Sequence, residues 1–250
     1  MRYSFFDPQR DSGQVSDFLV EFKEAAESLV ALLRKSNIKI VPYFSDSLPY
    51  FSSLSREEKE SILSKINFLV KVYSSSISQI YSNQALVWRA LKKLKMQIPN
   101  EIMGSIDDDD IVEIYDTQFI QQFCNLRFFE ICSYSIEQLT CLPWTQLWER
   151  RPKDIEDLFE IAAVLSEEQK PIFLSNRHKV KEMSSPFQYE IDYELKAAAP
   201  VKNIQGDLVG FIVVEGSEVT GGALTAEEEE AYLKRYLYPL EMGANIRSLN

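Results

Sequence analysis

Tyr189, Ile191, Tyr193 and Leu195 alternate with Glu190, Asp192, Glu194 and Lys196. A period of two with one charged face is the pattern of a β-strand wet on one side, which commits this part of the chain to an antiparallel sheet. Gly206-Asp207 marks a hairpin turn, and Leu208-Val-Gly-Phe-Ile-Val-Val214 returns beside the first strand. Pro171-Ile-Phe-Leu174 starts an earlier strand of the same group. Further upstream, Ile111-Val-Glu-Ile-Tyr115 and Phe119-Ile-Gln-Gln-Phe123 read as two strands around a tight turn at Asp116-Thr117.

Helices fill the interval between these two groups. One is expected from Asn125. Ser135-Ile-Glu-Gln138 is a capping box that opens a short helix ending before Pro143. Trp144, Leu147 and Trp148 supply a bulky apolar cluster, and Asp154 is expected to cap a longer helix with Leu158, Ile161, Ala162 and Leu165 inward. Two strands, short helices and three strands predict an α+β fold: an antiparallel sheet with the helices gathered on one side. Glu190 and Asp192 fall on the wet strand face and read as solubilising.

Residues 1–100 have a different period. Phe18, Phe22, Ala25, Ala26, Leu29, Leu32 and Leu33 recur at spacings of three and four, which predicts a helix over 14–35 capped by Ser16 or Asp17. Ile38 to Pro49 is expected as a loop broken by Pro42 and Pro49. Ser55-Arg-Glu-Glu58 is a second capping box, opening a helix with Ile62, Ile66, Leu69, Val70 and Tyr73 that continues or restarts through Ile77 and Ile80. A third helix begins at Asn83, with Leu86, Val87, Leu91 and Leu94 inward. Arg89, Lys92, Lys93 and Lys95 make its outer side basic, which suits either a docking face for an acidic partner or an ordinary solvated face.

Residues 101–110 end in four aspartates and read as an acidic linker; they lack the glycine turn and spread oxygens of a calcium loop. After the strands, Thr225-Ala-Glu-Glu228 is a third capping box. It opens a C-terminal helix over 221–250 with Leu233, Tyr236 or Leu237, and Leu240 on one face and Gly243 as its stop. The expected organisation is a helical N-terminal module (1–100), the linker (101–110), a mixed core (111–220) and an output helix (221–250).

Charge separates the two halves. Residues 1–100 carry a balance of +4 and residues 101–250 one of −15, within a total of −11. So acidic a surface repels a phosphate backbone, and no nucleic-acid partner is expected. No apolar run has the length of a membrane span. Met1-Arg-Tyr-Ser-Phe-Phe-Asp-Pro8 offers only two adjacent phenylalanines before acid and proline, so no secretory signal and a cytoplasmic location are expected. Cys124, Cys132 and Cys141 are odd in number and lack Cys-x-x-Cys spacing, which argues against a disulfide framework. With His178, the only histidine, they match zinc or an iron–sulfur cluster in number only, and no metal site is expected. For His178 itself the readings are a haem ligand or ligand contact, or a satisfied strand-edge residue. No phosphate loop, dinucleotide glycine pattern, nucleophile elbow or kinase phosphoacceptor segment is found, and the chain is expected not to be an enzyme.

Several local words resemble the PAS family. Asn125, Phe128, Ile131, Tyr134 and Ser135 fall where that family often reads Asn-x-x-Phe-x-x-Leu-x-Gly-Tyr-Ser. Glu137, Gln138, Leu139, Pro143 and Trp144 match its following phrase. Ala199-Pro-Val201, Gly206 and Gly210 resemble its last hairpin, and Glu218-Val-Thr220 its junction to an output helix. The resemblance covers residues 111–220; Ser133 and Cys141 stand where the family has glycines, and Glu218 where it has aspartate. GAF domains share much of this architecture. The resemblance implies a sensor that holds a small ligand, of unknown identity, between sheet and helices, bordered here by Phe128, Cys132, Trp144, Phe173, Tyr193 and Phe211. It also implies a homodimer acting on a separate effector such as a histidine kinase or transcription regulator, as in two-component systems. The alternative is an interaction scaffold whose core is filled by its own aromatics.

Overall fold

The computed structural model describes residues 8–75, 82–232 and 234–235. In chain order it contains α1 (Pro8–Lys35), α2 (Pro49–Ser52), α3 (Arg56–Ser74), α4 (Asn83–Leu94), β1 (Met96–Gln97) and α5 (Asn100–Gly104). Then follow β2 (Ile111–Asp116), β3 (Gln121–Cys124), α6 (Leu126–Glu130), α7 (Ile136–Cys141), α8 (Trp144–Leu147), β4 (Trp148–Glu149) and α9 (Pro152–Glu168). The chain closes with β5 (Ile172–Glu182), β6 (Glu190–Asn203), β7 (Leu208–Gly221) and a helix over residues 226–232, α10. The expected helical positions at Ile77, Ile80, Leu233, Tyr236, Leu237 and Leu240, and the stop at Gly243, lie outside the described residues.

All strands pair antiparallel in the order β3-β2-β7-β6-β5-β4, with β1 on the far end of β6. Two strands, helices and then three long strands is the order the sequence implies. Gly206 takes a φ of +90° in the β6–β7 turn, a conformation glycine adopts without penalty. Gly210 is required for a different reason: a Cβ there would meet the Tyr115 carbonyl oxygen at 2.0 Å, where β7 crosses β2. Ser133 and Cys141 have no positive φ, so neither strains the backbone.

Each capping box forms. The Ser55 hydroxyl accepts from Glu58 N, Ser135 from Gln138 N and Thr225 from Glu228 N, and each partner side chain accepts from the cap residue's own N–H. Three helix starts differ from expectation. α1 is already helical at Pro8, the first described residue, six residues before Gln14. α9 is headed by Arg151 and Pro152; Asp154 sits inside its first turn and pairs bidentately with Arg151 at 3.0 and 2.8 Å. Pro49 opens the single turn of α2 instead of breaking a loop. That turn has no side-chain cap of its own. Glu137 of α7 takes the role, its carboxylate accepting from Tyr50 N at 3.0 Å and Phe51 N at 3.2 Å.

The sheet is covered on both faces, which corrects the expectation of helices on one side. Along β2, Ile111 to Ile114 are all buried. Val112, Ile114, Ile212, Val214, Ala197 and Ala199 point to one face and join a core with Phe22, Leu29, Ile66 and Leu86 of the first hundred residues and with Ile102 just beyond them. Ala198, Phe211 and Val213 point to the other and pack against Leu165 and Ile161 of α9. The N-terminal helices are thus built onto the sheet. Lys65 of α3 donates to Gln121 Oε1 at 2.8 Å, and the Tyr73 hydroxyl to the Cys124 carbonyl at 2.5 Å.

The acidic stretch is likewise no solvated linker. Ile102 and Ile106 are buried, and Asp110 is fully buried with Lys196 Nζ 2.6 Å from its carboxylate. Asn125, also fully buried, locks the junction. Its Oδ1 accepts from Val112 N at 3.1 Å, and its Nδ2 donates to Asn83 Oδ1 and the Asp110 carbonyl, both at 2.7 Å. The helix expected at Asn125 does follow it as α6, but that side chain ties four segments together and caps nothing.

Candidate functional site

Side-chain alternation places two acids on the α9 face of the sheet. In β2 the register pairs Ile111 with Glu215 and Glu113 with Val213, so Glu113 and Glu215 are diagonal neighbours on adjacent strands. Both are buried, at 6% and 7% exposure. Tyr115 follows on the same face of β2, and Tyr193 of β6 lies beyond, paired with His178 of β5. Arg150, between β4 and α9, faces this row. Its positive charge acts on Glu113, Tyr115, Tyr193, Glu215 and His178.

The two acids are held differently. One Glu113 oxygen accepts from the Tyr115 hydroxyl at 2.7 Å and from Gln121 Nε2, and Gln121 in turn accepts from Lys65. Burial nevertheless raises its pKa above the usual carboxylate range. Glu215 has no hydrogen-bond partner among the described residues. Burial first, then the neighbouring Glu113, push its pKa up to about 8, against the opposing pull of Arg150. At neutral pH Glu215 is therefore mostly a neutral acid, a donor. Burial also pushes the Lys65 ammonium down.

The basic side of the cluster is left open. Nε and Nη1 of Arg150 are buried without a hydrogen-bond partner, and neither acid lies within ion-pair distance of the guanidinium among the described residues. The guanidinium carbon sits 5.1 Å from the centre of the Trp144 ring. His178, 5% exposed, stacks on Tyr193 with centroids 5.7 Å apart, and its Nε2 is also unpartnered. Burial, then Arg150, push the His178 pKa down, so it is neutral. The cluster presents donors from Arg150 and Glu215 inside aromatic walls, which suits an acceptor-rich ligand.

Of the six residues expected to border a pocket, three surround this cluster. Trp144 lies under Arg150, Tyr193 against His178, and Phe211 stacks on Phe119 at 5.8 Å. Phe128 and Cys132 lie elsewhere in the core, where the Cys132 thiol donates to the Phe128 carbonyl at 3.3 Å. Phe173 is a correction. It is 56% exposed, because the even-numbered residues of β5, among them His178, Val180 and Glu182, face inward.

Glu113, Tyr115, Arg150 and Glu215 were missed. The available signal was one acid inside each of two apolar strands, Ile111-Val-Glu113-Ile114 and Val213-Val-Glu215. The three cysteines and His178 form no cluster of ligand geometry among the described residues. The one acidic group that does, Asp107, Asp109 and Asp110, already holds the Lys196 ammonium. Burial raises the thiols, Cys141 to about 12, so none is a ready thiolate.

No protein-family model matches the chain, and no curated protein matches it. Among solved structures, a PAS domain of a protein from Colwellia psychrerythraea is similar, at 19% identity and a TM-score of 0.33. The match covers 44% of this chain and 87% of that one. No helix among the described residues is long and apolar enough to cross a membrane.

Proposed function

We propose that this chain is a non-enzymatic, cytoplasmic signal-sensing protein with a PAS-like core. In this reading it holds a compact ligand between the sheet and the α8–α9 segment and regulates a partner through its flanking helices. One observation carries the reading: the Arg150 guanidinium has two buried N–H donors that no group among the described residues accepts, beside a neutral Glu215. A buried donor left unpaired costs about 1–3 kcal/mol, and one on a charged group costs more. A ligand with a carboxylate or similar oxyanion would supply both acceptors, with Trp144 and Tyr193 against its apolar part.

Signalling requires two states whose populations the ligand biases. Arg150 lies between the last residue of β4 and the start of α9, so a ligand that draws the guanidinium inward acts on both. The partner in this reading is a second copy or a separate histidine kinase or transcription regulator, reached through the flanking helices. Val20 and Trp88 are large apolar side chains those helices expose. A second reading, a scaffold with no ligand, has support at one end of the site. There Phe119 stacks on Phe211 and meets Phe159 edge-on, filling space with the protein's own rings.

Ligand-observed NMR with benzoate, salicylate and succinate separates the two readings. At least one carboxylate is expected to bind saturably, about tenfold or more weaker in Arg150→Met and unchanged in Phe173→Ala. Equal binding to Arg150→Met, or none to the wild type, would favour the scaffold.

A further inference from the structure

A cavity lies apart from the acid–arginine cluster. It has a volume of about 250 Å³, and its wall is shared by four segments: the extended chain after α1, the α6–α7 turn, the β5–β6 loop and α10. That is just below the roughly 300 Å³ lower end of drug-sized sites, room for one bicyclic molecule. Four aromatic side chains, Phe44, Phe129, Phe187 and Tyr189, share the wall with polar groups. It shares no charged residue with the Glu113–Glu215–Arg150 row.

Two polar features point into its chemistry. Ile40 is 3% exposed, yet its backbone N–H and C=O make no hydrogen bond to any described residue, although the segment borders the cavity. Buried peptide groups almost always find a partner, so the place calls for one. The rim charges are the second feature. Glu130 is paired with Arg127 at 2.9 Å, and Lys39 acts on Glu230. Glu229 receives only the Tyr189 hydroxyl and has no cationic partner among the described residues. A flat molecule with an amino group suits three of these features: the ring faces attract a cation, Glu229 neutralises it, and the Ile40 carbonyl accepts a further N–H.

We propose that this cavity is a binding site for a small aromatic amine, whose occupancy fastens α10 to the core. α10 already rests on the cavity wall. Tyr232 meets Phe44 and Phe187 edge-on at 5.9 and 4.9 Å, and Ala223 N donates to the Phe187 carbonyl at 2.6 Å. A ligand gripped by Glu229 adds a tie between that helix and the segment after α1.

Isothermal titration of the full chain with tryptamine tests this, with indole as the uncharged molecule of the same ring. Tryptamine is expected to bind saturably and at least tenfold more tightly than indole, and amides of residues 223–232 to exchange more slowly when it is bound. Glu229→Gln should weaken tryptamine about tenfold. Tyr189→Phe, which removes the hydroxyl tie to α10 and keeps the carboxylate, should retain most of the affinity. Absent tryptamine binding, equal binding of indole, or an unchanged affinity in Glu229→Gln would each overturn the proposal.

Discussion

Asn125→Ala is expected to lower the stability of the fold by about 4 kcal/mol, a large share of the roughly 5–15 kcal/mol that a domain has. Truncation strands the Val112 N–H and the Asn83 Oδ1 and removes one of the two donors to the Asp110 carbonyl. Each lies at a junction where the first hundred residues meet the sheet, and Asn125 itself is fully buried, so water does not readily replace it. Asn125→Asp is no better, since it turns a donor into an acceptor facing two acceptors. Asn83 is bound to the same network, donating to the carbonyls of Asp107 and Asp110 at 3.0 and 2.8 Å. Urea unfolding of Asn125→Ala, Asn83→Ala and the double variant should therefore show a sum of single losses larger than the combined loss. A loss below 1 kcal/mol for Asn125→Ala would mean that the junction is not structural.

The second large effect is a fall of stability with rising pH. Glu215 has its pKa at about 8 in the fold, against an ordinary value of 4.5. Between those limits the folded state holds a proton that the unfolded chain releases, so stability declines as pH rises through that window and levels off above it. The slope for one fully linked group is about 1.4 kcal/mol per pH unit, which adds to several kcal/mol across the window. Glu113, raised in the same direction and in contact with the same field, makes the two acids titrate as a pair. Glu215→Gln keeps the shape and removes the proton exchange. Melting temperatures from pH 5.5 to 8.5 should drop steeply for the wild type and far less for Glu215→Gln. Parallel curves would show that the buried acid is not the origin.

Local signals were legible in the sequence. The three capping boxes are complete within four residues each, the β6–β7 hairpin has its glycine, and β6 alternates as read, so each declares itself without knowledge of the rest of the chain. What could not be read depends on distant partners. Nothing near Asp110 reveals that Lys196 will neutralise it, and without that partner an aspartate run reads as a solvated hinge. Glu137 looked like an ordinary second helical residue, yet it caps a turn 86 residues away. The same limit applies at the site. Strand alternation says that Glu113 and Glu215 each share a face with apolar neighbours, but only the β2–β7 register sets them side by side. Phe173 was misplaced for want of phase: the sense in which β5 faces the core is fixed by its pairing with β6, which puts His178 inward and Phe173 outward.

The central claim is that the buried Arg150–Glu215 cluster takes up a small acceptor-rich molecule. Native mass spectrometry on the full chain, purified without added ligand, tests it most directly. The account predicts one additional small mass per chain that is lost on denaturation, ionises as an acid, and is missing from Arg150→Met purified in the same way. A wild-type chain that carries only its own mass, or an adduct equally present on Arg150→Met, would contradict it.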